Sequence, residues 1–230
     1  MIRAFAPEET NLRSTAVRSP NIAVSGTRLE EADIAVAENL GRRRNDPLVR
    51  AAGALSEIAD QPPALTLCAA VFAAGLLARR PKLAEAGARA FASAFVAATV
   101  KSAIKSVVAR TRPHVLLEEG RYEVKPGGPD DGDWHSFPSG HASITFATAT
   151  VIERHLGWRS SALGYTVASY VAASRLHDNR HYLSDVVFGA AVGAIGGRTV
   201  TEHGRKVWTL APAPVPGGIA LVALRTGANQ

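Results

Sequence analysis

The chain has one cysteine among its 230 residues, Cys68, and it lies inside an apolar run. That excludes an internal disulfide framework and makes Cys68 a small buried side chain rather than a metal ligand. The opening MIRAFAPEETNLRSTAVRSP carries scattered charge and no apolar core, so export by a cleaved leader is not expected. The formal net charge is +6, yet no basic tract is interleaved with aromatics and no nucleic-acid module is recognisable, which removes nucleic acid as a partner. No repeat or low-complexity tract stands out beyond a general richness in alanine. Long hydrophobic runs are scarce too, and the mean hydropathy of +0.03 is low for a membrane bundle.

What is present is a series of charge-poor segments at 61–78, 90–100 with weaker flanks from 83 to 104, 134–152, 160–174 and 186–197. Uncharged stretches of 11 to 19 residues are at or below the roughly 20 needed to cross hydrocarbon, although arginine and lysine stems at their ends can snorkel and extend the span. Ahead of them, LEEADIAVAENLGRRRNDPLVRAAGALSEIAD reads as two amphipathic helices broken near Gly41 to Pro47. The end, VWTLAPAPVPGGIALVAL, has apolar length but several prolines and a Gly-Gly pair, so an extended hairpin is expected there. One domain accounts for this length: residues 1–60 as polar tail and amphipathic helices, 61–206 as the helical bundle, 207–230 as an irregular tail.

Three short clusters carry the chemistry: KSVVARTRP at Lys105 to Pro113, PSGH at Pro138 to His141, and SRLHDNRHYLSD at Ser174 to Asp185. The first ends one charge-poor segment, the second begins the next, and the third joins the last two. Alternating helices therefore bring all three to one end. The linkers at the opposite end, 79–89, 153–159 and 198–206, hold Arg79, Arg80, Lys82, Arg89, Arg154, Arg159, Arg198, Arg205 and Lys206 against three glutamates, while loop 114–135 is acidic. By the positive-inside rule this places the clusters away from the cytoplasm, and a bacterial inner membrane is the expected location. The run Arg42 to Arg44 sits on the wrong side for that scheme unless its segment lies in the membrane interface.

Phosphoryl transfer loads negative charge on equatorial oxygens, and a site without metal or other cofactor must answer it with fixed cations and amides. Lys105 and Arg112, seven residues apart, share a face if one helix holds both, and Arg175 is a third cation. Pro113 biases Arg112 out of helical geometry and lets its guanidinium turn inward. Pro138 can open a helix at which Ser139 and Gly140 present amides to an anion. His181 and Asp185, at i and i+4, would put a carboxylate beside an imidazole on one helical face. His177 and His181 also have metal-pair spacing, but no third ligand accompanies them. Lys101 reads as an interfacial charge, and His114, Trp134, His135 and Tyr182 as packing residues.

The pattern K-x6-RP, PSGH, SR-x5-H-x3-D resembles the signature of the type 2 phosphatidic acid phosphatase superfamily, which includes bacterial acid phosphatases and vanadium haloperoxidases; every specified residue is present, over about a third of the chain. The resemblance implies an all-α membrane bundle with its active site at the helix ends on one side. It implies His181 as a nucleophile forming a phosphohistidine, Asp185 as the group orienting it, and His141 as the acid that protonates the leaving oxygen. Lys105, Arg112, Ser139, Gly140 and Arg175 would bind the phosphate of a lipid or polyprenol substrate, a phosphomonoester or a diphosphate. A soluble acid phosphatase, a haloperoxidase and a non-catalytic membrane-surface protein are the competing readings.

Overall fold

The computed structural model describes residues 27–41, 46–128 and 131–203, together with the backbone of two strands at 207–215 and 218–226. Arg42 to Arg44, Arg205 and Lys206 fall outside the described residues.

The first helix, α1 (Arg28–Gly41), opens on a capping box: the Thr27 amide donates to Glu30 Oε2 at 2.8 Å and the Glu30 amide to Thr27 Oγ1 at 3.4 Å. After α2 (Pro47–Ser56) and a 3-10 turn at Glu57–Ala59, the carboxylate of Asp60 caps α3 (Gln61–Leu77). A tight turn leads into α4 (Pro81–Val107), with proline at its start. The chain then passes through the short strand β1 (Val108–Arg110), α5 (Pro113–Glu119) and β2 (Val124–Pro126), and a 3-10 turn at Gly132–Trp134. Three further helices follow: α6 (Gly140–Leu156), α7 (Trp158–His177) and α8 (Leu183–His203). Strands β3 (Val207–Val215) and β4 (Gly218–Thr226) pair antiparallel, giving the hairpin expected at the C-terminal end.

Helix α6 packs against α4, α7 and α8, and α3 lies along α4. What faces inward is small. Ala84, Ala86, Ala90, Ala94, Ala97 and Ala98 are buried on α4, and Ala142, Ala147 and Ala149 on α6. Glycines complete these contacts: a Cβ on Gly193 of α8 would overlap the Ser143 carbonyl of α6, and one on Gly87 of α4 would overlap the backbone of Phe72 on α3. The large apolar side chains face out, with Leu67, Phe72 and Leu76 on α3, Phe91 and Phe95 on α4, and Val187, Phe188 and Ile195 on α8 all exposed. Small residues inside and large ones outside is the arrangement that suits helices packed in lipid.

Among the described residues two helices, α4 and α8, are individually long and apolar enough to cross a membrane, and the bent pair 49–59 with 61–77 passes as a third. Neither α6 nor α7 qualifies, which narrows the five-segment reading. Helix α6 has 17 residues and closes on Glu153 and Arg154, and α7 carries Arg159 and Arg175. The site end is formed by the C-terminal ends of α4 and α7 and the N-terminal ends of α6 and α8, as the alternation of helices predicts.

Candidate active site

The charged side chains that are buried among the described residues, Asp33, Arg110, Arg175 and Asp185, all lie at this one end of the bundle, together with the buried imidazole of His181. Burying charge costs several kcal/mol per ion unless partners are supplied, so such a concentration marks a built site.

Ser136 is its hub. Its amide donates to the Arg110 carbonyl at 3.1 Å, its hydroxyl to Asp185 Oδ2 at 2.6 Å, and its carbonyl lies 2.6 Å from His181 Nδ1. A carbonyl oxygen can only accept, so the proton of the neutral imidazole sits on Nδ1 and the lone pair on Nε2. Asp185 Oδ2 also accepts from the Tyr182 amide at 2.8 Å, and Oδ1 from Arg110 Nη1 at 2.6 Å. The backbone holds His181 as well: the amides of Arg180 and His181 both donate to the Arg175 carbonyl where α7 ends, at 3.1 and 3.3 Å.

Cations surround the imidazole. Burial pushes the His181 pKa well below its ordinary value, and the charges of Arg112 and Lys105 push it the same way. Lys105 Nζ donates to the His135 carbonyl. Arg112 Nε donates to the Gly132 carbonyl at 2.6 Å and Nη1 to the Arg180 carbonyl at 3.3 Å. Both side chains are thus anchored to the loops that precede α6 and α8. His141 stands at the start of α6, and its Nε2 is buried with no hydrogen-bond partner among the described residues.

The structure corrects several expectations. Lys105 and Arg112 do not share a helix face, because α4 stops at Val107 and the next residues pair with β2; Arg112 reaches the site as the residue capping α5. His181 precedes α8, so its relation to Asp185 is not that of a helical i, i+4 pair. Its Nδ1 lies 3.9 Å from Asp185 Oδ2 and gives its proton to Ser136 instead. Ser139 does not offer its own amide, which donates to the Asp185 carbonyl at 3.0 Å, and its hydroxyl caps α6 through the Ala142 amide. The helix start still turns the amides of Gly140 and His141 outward, as any first turn must. Arg175 is 2% exposed, and its guanidinium is spent on Glu57, Asp178, Ser56 and the Gly53 carbonyl. Lys101, read as an interfacial charge, packs its stem against Gly140 and donates to Gln61 Oε1 at 3.0 Å.

Sequence reasoning passed over Ser136, Arg110, Asp33 and Glu57. A signal existed for Asp33, a carboxylate in line with Leu29, Ala37 and Leu40 at helical spacing on α1, and for Arg110, a charge in the apolar approach to Arg112.

Residues 86–208, more than half of the chain, match the PAP2 superfamily. The chain belongs to the PAP2 superfamily. Within PAP2, it is 44% identical over 85 residues to a lipid A 1-phosphatase of Porphyromonas gingivalis and 36% identical over 80 residues to a putative phosphatidate phosphatase of Drosophila melanogaster. These matches cover 36% and 30% of this chain and only 19% and 21% of the two relatives. A crystal structure of Aquifex aeolicus LpxE shares the fold, with a TM-score of 0.58 at 20% identity over 74% of this chain and 94% of that one. The helical PAP2 architecture expected from the three clusters is therefore the one found, with two antiparallel strand pairs added to it.

Proposed function

We propose that the protein is a membrane phosphatase that hydrolyses a lipid phosphate monoester through a phosphohistidine on His181, without a metal ion. The observation that carries this reading is the Ser136 bridge, which holds the Nδ1 proton of His181 in a cationic pocket and leaves the Nε2 lone pair for phosphorus. The apolar exterior of α3, α4 and α8 favours a lipid over a water-soluble ester. The relatives named for lipid A and phosphatidate favour the same class.

In this mechanism Nε2 of His181 forms a bond to phosphorus as the ester P–O bond breaks. His141, whose pKa burial and the Arg175 charge lower to about 4, is neutral before substrate arrives; it takes up a proton as the anionic ester binds beside it and gives that proton to the departing oxygen, a contribution of roughly 10²–10⁴-fold for a well-placed general acid. Water then attacks the phosphohistidine, with His141 now taking the proton, and inorganic phosphate leaves. Lys105 and Arg112 balance the charge on the equatorial oxygens, aided by the amides opening α6. Arg175 joins them through Nη1 once that arm is released from Glu57, its Nη2 staying on Gly53, Ser56 and Asp178. The pocket is taken to face away from the cytoplasm, on the strength of the basic linkers at the far end.

The test is phosphate release from long-chain lipid phosphates and from water-soluble monoesters, with and without chelator, by wild type and His181→Ala. Lipid phosphates hydrolysed at an unchanged rate in chelator, and no turnover by the variant, are expected. Undiminished release by His181→Ala removes the phosphohistidine, and loss that added metal restores removes metal independence.

A further inference from the structure

Helix α1 lies outside the segment that matches the superfamily, yet it sends one side chain into the heart of the site. Asp33 is 1% exposed. Its Oδ2 accepts from Arg110 Nη2 at 2.8 Å and from the Ser184 hydroxyl, and its Oδ1 from the Ser184 amide at 2.9 Å. The other arm of the same guanidinium, Nη1, donates to Asp185 Oδ1 at 2.6 Å and to Ser184 Oγ at 2.8 Å. Arg110 is thus a fork with one carboxylate on each prong, one from α1 and one from α8, and its charge centre sits 4.1 Å from the centre of the Tyr182 ring.

We propose that Asp33 is a positioning residue of the active site, fixing the Arg110 fork so that Asp185, and through Ser136 the His181 ring, are held for attack. The path is continuous: Asp33 to Arg110, Arg110 to Asp185, Asp185 to Ser136, Ser136 to His181. Without Asp33, Nη2 keeps only the Tyr122 hydroxyl at 3.0 Å, and the guanidinium can swing about its remaining bonds. Asp185 then loses its fixed donor, and the carbonyl that aims His181 loses its brace. Asp33 itself touches none of the residues assigned to phosphate, so the effect falls on the chemical step rather than on binding.

The alternative is that Asp33 merely pins α1 to the bundle. A pin affects stability; a positioning residue affects turnover by the folded enzyme, in a way that depends on Arg110. This inference rests on the roles proposed for His181 and Asp185, and its readouts separate the two. The full chain in detergent is compared as wild type, Asp33→Asn, Arg110→Lys and the double variant. Asp33→Asn is expected to lower kcat about ten- to a hundredfold, the scale of a small misplacement at a reacting group, with KM within about twofold. The double variant is expected to fall no further than the deeper single one, because both break the same path. Independently of any turnover, the downfield Nδ1 proton resonance of His181 is expected to shift in Asp33→Asn. Should Asp33→Asn fail to fold, Ser184→Ala, which removes the hydroxyl shared by Asp33 and Arg110, takes its place with a smaller loss of kcat and the same resonance shift. Wild-type kcat in the folded Asp33→Asn protein, fold-losses that multiply in the double variant, or an unmoved resonance would each overturn the proposal.

Discussion

Glu57 Oε1 accepts from Arg175 Nη1 at 2.8 Å, while Oε2 of the same carboxylate lies 3.9 Å from His141 Nε2. A carboxylate from the turn before α3 thus occupies the guanidinium that the superfamily pattern assigns to phosphate, next to the histidine assigned to the leaving group. A substrate phosphate reaching Arg175 has to displace it. The Glu57 side chain is 59% exposed, so the contact is screened and its loss is modest. Glu57→Gln is expected to lower KM for a phosphate monoester, and to tighten inhibition by inorganic phosphate, by up to about fivefold, which corresponds to ~1 kcal/mol. Steady-state kinetics with phosphate as product inhibitor check this. A KM that does not change places Glu57 outside the anion's path.

A second expectation concerns the seam between α6 and α8. Gly189, Gly193 and Gly197 recur every fourth residue and face Ser139, Ser143 and Ala147, so the two backbones meet with no room for a side chain. Gly193→Leu forces the helices apart directly beneath the PSGH turn, at a cost of at least about 1–3 kcal/mol. Thermal unfolding in detergent is expected to show a lower midpoint for Gly193→Leu, with Ile195→Leu, on the exposed face two residues away, matching wild type. Equal midpoints for both would mean that α6 and α8 are not closely packed.

The exposed side chains of Leu67, Leu76, Phe95, Val187 and Ile195 define an apolar exterior over α3, α4 and α8. A protein with that surface partitions into lipid and resists removal by ionic disruption. Membranes from expressing cells, washed with high salt and then alkaline carbonate, are expected to retain the chain until detergent is added. Recovery in the salt wash would show that these side chains are covered by protein.

Much of this architecture could be read from local pattern. The run from Gln61 to Leu77 is bounded by Asp60 and by the basic turn at Arg79 and Arg80, and α6 begins at the PSGH turn, so helix position followed from capping and charge. What escaped the reading depends on partners distant in sequence. Nothing local stops α4 at Val107; it ends because Val108 to Arg110 pair with Val124 to Pro126, which took Arg112 off the face it was expected to share with Lys105. Likewise His181 and Asp185 have helical spacing, but Ser136, 45 residues earlier, takes the imidazole proton before the carboxylate can. The identities in the three clusters showed which side chains meet. The wiring among them depends on Arg110, Ser136 and Asp33, which bond across 75, 49 and 151 residues of sequence.

The state of the His181 ring follows from that wiring. Burial disfavours the imidazolium most, Arg112 and Lys105 disfavour it further, His141 adds to them, and only the Ser136 carbonyl among the leading influences favours it. The folded-state pKa is therefore depressed below the unfolded value of about 6.5, so the ring is neutral and nucleophilic throughout the neutral range. The sign for stability follows. Below pH ~6.5 the unfolded chain binds a proton that the folded chain refuses, so this residue lowers stability as pH falls through that value, by at most about 1.4 kcal/mol per pH unit. Histidine-selective NMR titration, with His181→Asn to assign the signal, is expected to show no protonation of His181 at pH 6.5. In Arg112→Gln, which removes a neighbouring positive charge, the midpoint is expected to rise. A wild-type midpoint at or above 6.5, or a midpoint that falls in Arg112→Gln, would mean that the cations do not face the ring, and a neutral nucleophile at that position would lose its physical basis.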